Sequence, residues 1–117
     1  MDIEELSAAV EDVSHSYAER FGITRDSAWH LLKLHEEIGE LTQAHLMREG
    51  QARAKGLAPD QLDAKFRAEL AAVFAHVLLL ARHHGADPGK EVERKWLVWR
   101  ESADAVAAAP EVVAKGP

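Results

Sequence analysis

The residues best suited to chemistry in this sequence are closely spaced glutamates. Glu36, Glu37 and Glu40 stand in the run LKLHEEIGEL. If this run is helical, Glu37 and Glu40 lie one turn apart on the same side and can approach one cation. Carboxylates in a chain without cysteine indicate Mg²⁺, with Mn²⁺ as the alternative, rather than zinc. A solvated helix face has the same pattern, so this run alone is weak evidence for a metal site.

A third glutamate lies in apolar surroundings. Glu69 stands in FRAELAAVFAHVLLLA, which is apolar almost all round and is therefore predicted to be buried. An unpaired charge in such a setting costs several kcal/mol, so Glu69 needs a partner. The candidates are a cationic side chain from another helix and a metal ion shared with Glu37 and Glu40.

Helices must position these glutamates, because no alternating strand pattern and no internal repeat occurs. Capping residues and glycine stops predict an antiparallel bundle of about four helices. The first helix follows an apolar stripe that includes Ile3, Leu6, Val10, Val13 and Tyr17. The predicted bounds are Ile3 to about Arg20, Thr24 or Asp26 to about Glu49, Pro59 to a stop at Gly85, and Asp87-Pro88 onward through Val92, Trp96 and Trp99.

Length and charge limit the partners. The 117 residues predict one all-α domain over 1–104 and a flexible tail over 105–117. Four short helices cannot bury so much apolar surface, so we expect a homodimer or a dimer of dimers. The net charge of −6 disfavours a nucleic acid polymer as partner. No run is long and apolar enough for a membrane span, and no signal peptide is evident, so a cytoplasmic location is the default expectation.

Three runs carry a family resemblance: LLKLHEEIGELTQA, FRAELAAVFAHVLLLARHHGAD and ERKW. Over roughly residues 25 to 100 they resemble the MazG-like nucleotide pyrophosphohydrolases. The resemblance implies an all-α fold in which an E-E-x-x-E motif and an E-x-x-D motif hold Mg²⁺. It also implies hydrolysis of a nucleoside triphosphate to a monophosphate and pyrophosphate. Glu37, Glu40 and Glu69 would then be the metal ligands, and Glu36 would orient a water or bind a second ion.

One position departs from the family pattern. The resemblance would place aspartate at Ala72, so one carboxylate is missing from the implied site. Three explanations stay open: a natural descendant with low or no activity, an engineered inactivating substitution, and rescue by His76, four residues further along the same helix. A hydrogen-bonded role for His76 in the core or beside the metal site is the simpler interpretation.

Four further residues are candidates for substrate binding. Lys33, Arg94 and Lys95 could contact phosphates, and Trp96 could stack on a base. The simpler alternatives are solvated charges for Arg94 and Lys95, a neutralising neighbour of Glu37 for Lys33, and a core or interface position for the tryptophan. The remaining histidines of the second predicted helix, His30, His35 and His45, are interpreted as ordinary polar positions.

These residues favour a Mg²⁺-dependent nucleoside triphosphate pyrophosphohydrolase. Two alternatives remain. The chain could be a catalytically inactive nucleotide-binding or structural protein of the same fold, or a helical module whose acidic stripe meets a basic protein surface.

Overall fold

The computed structural model describes residues 1–100, all of whose regular structure is helical. The elements are α1 (Ile3–Phe21), α2 (Ser27–Arg48), α3 (Pro59–His83), α4 (Pro88–Lys95) and a 3₁₀-helix (Leu97–Arg100). No strand occurs within residues 1–100, so the all-α class is confirmed for this part of the chain. The predicted tail, 105–117, lies outside the described residues. None of the described helices is long and apolar enough to cross a membrane.

Aspartate side chains begin three of the helices. The carboxylates of Asp2, Asp26 and Asp87 accept hydrogen bonds from backbone N–H groups three residues further on, at 2.7, 2.8 and 3.1 Å. Such caps satisfy N–H groups that have no partner within the helix. Gly22 ends α1 with a φ of 65°, a left-handed conformation that glycine adopts without strain.

The chain divides into two compact units, Met1–His84 and a second that begins at Gly85. The first unit contains α1, α2 and α3, and the second contains α4 and the 3₁₀-helix. The expectation that one helix continues through Trp96 and Trp99 is wrong, because the α-helix ends at Lys95 and the 3₁₀-helix follows. Aromatic and β-branched residues in this stretch favour the α-helix less than the charged residues before it.

The main interface of the first unit joins α2 and α3. At one end of the pair, Arg48 Nε donates to Asp63 Oδ1 at 2.9 Å. At the other end, Ser27 Oγ lies 3.2 Å from His84 Nε2. The end of α2 therefore meets the start of α3, and the start of α2 meets the end of α3. This contact pattern makes the two helices antiparallel, as expected.

Two arginines attach α1 to this pair. Arg82 on α3 donates to Glu4 and Ser7 on α1 at 3.3 and 3.4 Å. Arg25, just before α2, forms a two-pronged ion pair with Glu11 on α1 at 2.9 and 2.7 Å. Hydrogen bonds from this guanidinium hold the pKa of Glu11 below its ordinary value. The position of α1 is thus set by polar contacts at two places.

Apolar burial is less complete than the sequence predicts. Leu78 and Leu79 on α3 are buried, but Leu70, Phe74 and Val77 on the same helix are exposed by 50, 46 and 38%. The expectation that this helix is buried all round is therefore wrong for a single chain. The predicted stripe on α1 is likewise only partly covered, because three of its members are exposed: Ile3, Val13 and Tyr17. Three helices offer too few neighbours to cover every side of α1 and α3.

His30 is not the ordinary polar position that the sequence suggested. Only 3% of its surface is exposed, and its Nδ1 is buried without a hydrogen-bond partner among the described residues. Its ring lies 4.5 Å from that of His83, centroid to centroid. Burial, and then the positive charges of His83 and Arg25, lower the pKa of His30 below its ordinary value. His30 therefore belongs to the core in its neutral form.

We expect His30→Phe to make the protein more resistant to acid. In the unfolded chain His30 takes up a proton near its ordinary pKa of 6.5, whereas the folded protein takes it up only at lower pH. As pH falls through 6.5, protonation thus stabilises the unfolded state and the free energy of unfolding decreases. Urea unfolding at pH 7 and pH 5 should show a smaller decrease for His30→Phe than for the unsubstituted protein.

The matched control for this measurement is His35→Phe, which removes an exposed histidine of the same helix. An equal loss of stability between pH 7 and pH 5 in the unsubstituted protein and in His30→Phe would contradict the expectation.

Candidate metal centre

Glu37, Glu40 and Glu69 converge where α2 meets α3. One carboxylate oxygen from each lies within 4.8 Å of the other two. Around an octahedral ion with metal–oxygen distances of about 2.1 Å, neighbouring ligand oxygens are about 3 Å apart and opposite ones about 4.2 Å apart. Small side-chain rotations would therefore bring all three onto one ion. The convergence expected from the sequence is present, and metal binding by these residues remains a prediction.

The three carboxylates differ in exposure. The side chains of Glu37 and Glu69 are only 14 and 18% exposed, whereas Glu40 is exposed. Glu37 and Glu69 are thus held within the helix pair, while the Glu40 side is open to solvent. An ion bound here would keep open positions for water or phosphate oxygens, which Mg²⁺ typically retains in proteins.

Positive charge near the cluster is limited. Lys33 Nζ lies 3.8 Å from Glu37 Oε1, and Lys65 Nζ lies 3.9 Å from Glu69 Oε1. Glu40 has neither an ion pair nor a side-chain hydrogen bond within residues 1–100. Two lysines near the outer limit of ion-pair distance thus face three carboxylates. The excess negative charge and the hard oxygen donors fit a divalent cation such as Mg²⁺ or Mn²⁺.

Glu36 stands beside this cluster but does not join it. Its carboxylate accepts a hydrogen bond from Lys33 Nζ at 2.9 Å, and its side chain is 58% exposed. This hydrogen bond raises the pKa of Lys33 above its ordinary value. Lys33 therefore joins Glu36 to Glu37 as a cation. The role of Glu36 in orienting a water or binding a second ion remains a prediction.

His76 lies next to the cluster without completing it. Its Nε2 is 4.0 Å from Glu37 Oε1, but the group of converging oxygens does not include it. Its Nδ1 is buried without a hydrogen-bond partner among the described residues. Burial, followed by the charge of Lys33, lowers the pKa of His76, so the imidazole is neutral at pH 7. This placement favours a neighbour of Glu37 over the rescue, by His76, of the aspartate that the family resemblance would place at Ala72.

A cavity of about 480 Å³ lies between α1 and the α2–α3 pair. The sequence interpretation missed it, because α1 supplies much of its wall. The available signal for a cavity was the small side chains on facing helices, since alanine side chains leave part of the space between helices unfilled. The lining residues are Ala9, Val10, Val13, Ser14, Tyr17, Trp29, Lys33, Ala72, Ala75, His76 and Leu79.

The remaining candidate residues belong to the second unit. Arg94 is at the end of α4, where it forms an ion pair with Glu91 at 2.9 Å. Lys95 and Trp96 follow it and are exposed. Their proposed contacts with phosphate or base remain predictions.

In comparisons with known proteins, no family model matches the chain, and neither a curated protein nor a solved structure matches it. The resemblance of its motifs to the MazG-like family therefore remains a prediction, and the candidate site depends on the geometry of the chain itself.

If the cluster binds metal, millimolar Mg²⁺ or Mn²⁺ should raise the melting temperature, because an ion that binds only the folded state stabilises it. Glu69→Gln should reduce this shift by more than half, and it should raise the melting temperature without metal by relieving carboxylate repulsion. Thermal unfolding with EDTA or with added metal measures both effects. Glu5→Gln, at an exposed position of α1, is the control, and an equal metal-induced shift in both variants would refute the site.

Proposed function

We propose that this protein is a metal-dependent nucleotide pyrophosphohydrolase that converts a nucleoside triphosphate to a monophosphate and pyrophosphate. The observation that carries the proposal is the convergence of Glu37, Glu40 and Glu69 at a position open to solvent. Carboxylates without cysteine suit Mg²⁺, and Mg²⁺ in proteins is typically shared with substrate phosphates. The motifs that resemble the MazG-like family support the same reaction.

In this proposal each residue of the site has a separate role. Glu37, Glu40 and Glu69 hold the ion, which when bound would neutralise phosphate charge and polarise water. Glu36, on the exposed side of Lys33, orients the attacking water. Lys33 holds Glu36 and Glu37 in place through contacts of 2.9 and 3.8 Å.

Ala72 favours a second candidate, a protein that binds nucleotides but does not hydrolyse them. The methyl group of Ala72 lines the cavity where the family motif would supply a carboxylate. One ligand fewer weakens the hold on the ion and the stabilisation of charge in the transition state. A module that binds a basic protein surface through its acidic stripe is the third candidate.

One assay separates the three candidates. The protein is incubated with each of several nucleoside triphosphates, with Mg²⁺ or with EDTA, while pyrophosphate release and nucleotide binding are measured. Release that requires Mg²⁺ supports the hydrolase. Metal-dependent binding without release supports the inactive protein, and neither binding nor release leaves the protein-binding module.

We expect Ala72→Asp to bind metal more tightly and to hydrolyse faster. The added carboxylate supplies a ligand oxygen, for which we expect about tenfold higher metal affinity, or about 1.4 kcal/mol. It also adds negative charge to a cluster of glutamates, so the melting temperature without metal should fall. Thermal unfolding and pyrophosphate release measure both effects. If neither the metal-induced shift nor the release increases, Ala72 is not at a ligand position.

We further propose that the chain forms a homodimer, or a dimer of such dimers, through an apolar face of the α2–α3 pair. This face is exposed in the single chain, by 38 to 50% of each side chain. On the helical wheel it lies away from the glutamates. Contiguous exposed apolar surface of this kind marks an interface. Its members are Leu31, Ile38, Leu70, Phe74 and Val77.

Phe74→Glu should therefore convert the dimer to a monomer, because it places a charge in the centre of an apolar interface. Sedimentation velocity at micromolar concentration measures the change. Leu32→Glu is the matched control, since Leu32 is 66% exposed and lies on another side of α2. An unsubstituted protein that sediments as a monomer would contradict the proposal.

A further inference from the structure

The cavity between α1 and the α2–α3 pair has the size of a ligand site. Its volume is about 480 Å³, within the range of about 300 to 1,000 Å³ that small-molecule pockets occupy. Val10 and Val13 of α1 form one wall, and Trp29 and Leu79 contribute to the others. The structure shows no side chain of the first unit filling this space.

Few polar groups of the cavity are free to bind a ligand. Ser14 Oγ accepts a hydrogen bond from Arg25 Nη1 at 3.2 Å. Lys33 Nζ donates to Glu36 at 2.9 Å. His76 contributes a ring whose Nδ1 is shielded from solvent. The Tyr17 hydroxyl at the exposed rim and the indole N–H of Trp29 are further polar groups, and the remaining lining side chains are apolar. The cavity therefore offers apolar contact but few free donors or acceptors.

This polarity conflicts with a nucleobase as the preferred occupant. A base carries several donors and acceptors on its edges, and burying them without partners lowers affinity. An alkyl or plain aryl group has no such requirement and gains affinity with each buried carbon.

Two residues lie between the cavity and the carboxylate cluster. Lys33 and His76 both line the cavity, and both contact Glu37 Oε1, at 3.8 and 4.0 Å. A ligand with phosphates at the cluster would therefore direct the group attached to them toward these apolar walls. This arrangement favours a molecule with an anionic end and an apolar body.

We propose that the cavity binds the alkyl or aryl group of a phosphorylated ligand whose phosphates reach a metal ion at Glu37, Glu40 and Glu69. The ligand class is thus diphosphate esters of apolar alcohols. This inference rests on the metal site of the proposed function but goes beyond nucleotide hydrolysis, because it assigns a second class of ligand.

Calorimetric titration with methyl, butyl and hexyl diphosphate in the presence of Mg²⁺ tests this inference. Affinity should rise up to about fourfold for each added methylene that is buried. Ala75→Leu fills part of the cavity and should lower the affinity for hexyl diphosphate about tenfold, with little effect on methyl diphosphate. Ala71→Leu, at an exposed position on the same helix, should leave the chain-length dependence intact.

A second cavity variant keeps the inference testable if Ala75→Leu does not fold. Val13 lines the cavity although it is 72% exposed, so Val13→Asp places a charge at the rim without disturbing buried contacts. It should also reduce the gain per methylene. Ile3→Asp, at another exposed apolar position of α1, is its control. Affinity that is independent of chain length, or a dependence that both cavity variants leave unchanged, would overturn the inference.

Free alcohols separate this inference from the proposed hydrolysis. Protein NMR titrations with butanol and hexanol in EDTA report on the cavity alone. Hexanol should bind more strongly than butanol to the unsubstituted protein, and Ala75→Leu should remove this preference. If that preference is present but no nucleotide releases pyrophosphate, the cavity assignment stands and the proposed hydrolysis fails. If pyrophosphate is released but neither alcohols nor diphosphates depend on chain length, the cavity assignment fails and the hydrolysis stands.

Discussion

The antiparallel pairing of α2 and α3 is the constraint on which the rest of the first unit depends. Two residues of α2 and one of α3 contribute to the carboxylate cluster, so the cluster exists only while the two helices keep their register. Polar contacts fix that register at both ends, through Arg48 with Asp63 and Ser27 with His84. A slide of one helical turn, about 5.4 Å, would be enough to separate the oxygens of Glu40 and Glu69.

This pairing holds like charges together, which opposes folding. Glu37 and Glu69 are mostly withdrawn from water, and their lysine neighbours are no closer than 3.8 Å. Apolar contacts along the interface, including buried Ala44, Met47 and Leu62, must offset the repulsion. A cluster of like charges opposes the otherwise favourable packing of this interface. Unfavourable clusters of this kind are typical of functional sites.

The sequence predicts the bounds of the helices better than the burial of their side chains. The three aspartate caps and the glycine stops are local signals, so most helix ends follow from neighbouring residues. The convergence of Glu69 with α2 could be predicted because a carboxylate in an apolar context needs a cationic partner, and Glu37 and Glu40 offered a place for a shared ion one helix away. The burial of His30 and the exposure of Phe74 could not be predicted from the sequence, since they depend on which side of each helix has a neighbour. The cavity was missed for the same reason, because its wall depends on the rotation of α1.

Ala72 lies close to both the carboxylate cluster and the cavity. The residue is one turn from Glu69 on α3 and lines the cavity wall. An aspartate there would add a ligand oxygen for a cation, but it would also place a charge against Trp29 and the apolar wall. Alanine would have the opposite effects, a weaker hold on the ion and a wider, less polar cavity. Under the proposed function, reduced turnover of nucleotides and accommodation of an apolar group would therefore be two consequences of one methyl side chain, and neither would require a change in the backbone that brings α2 and α3 together.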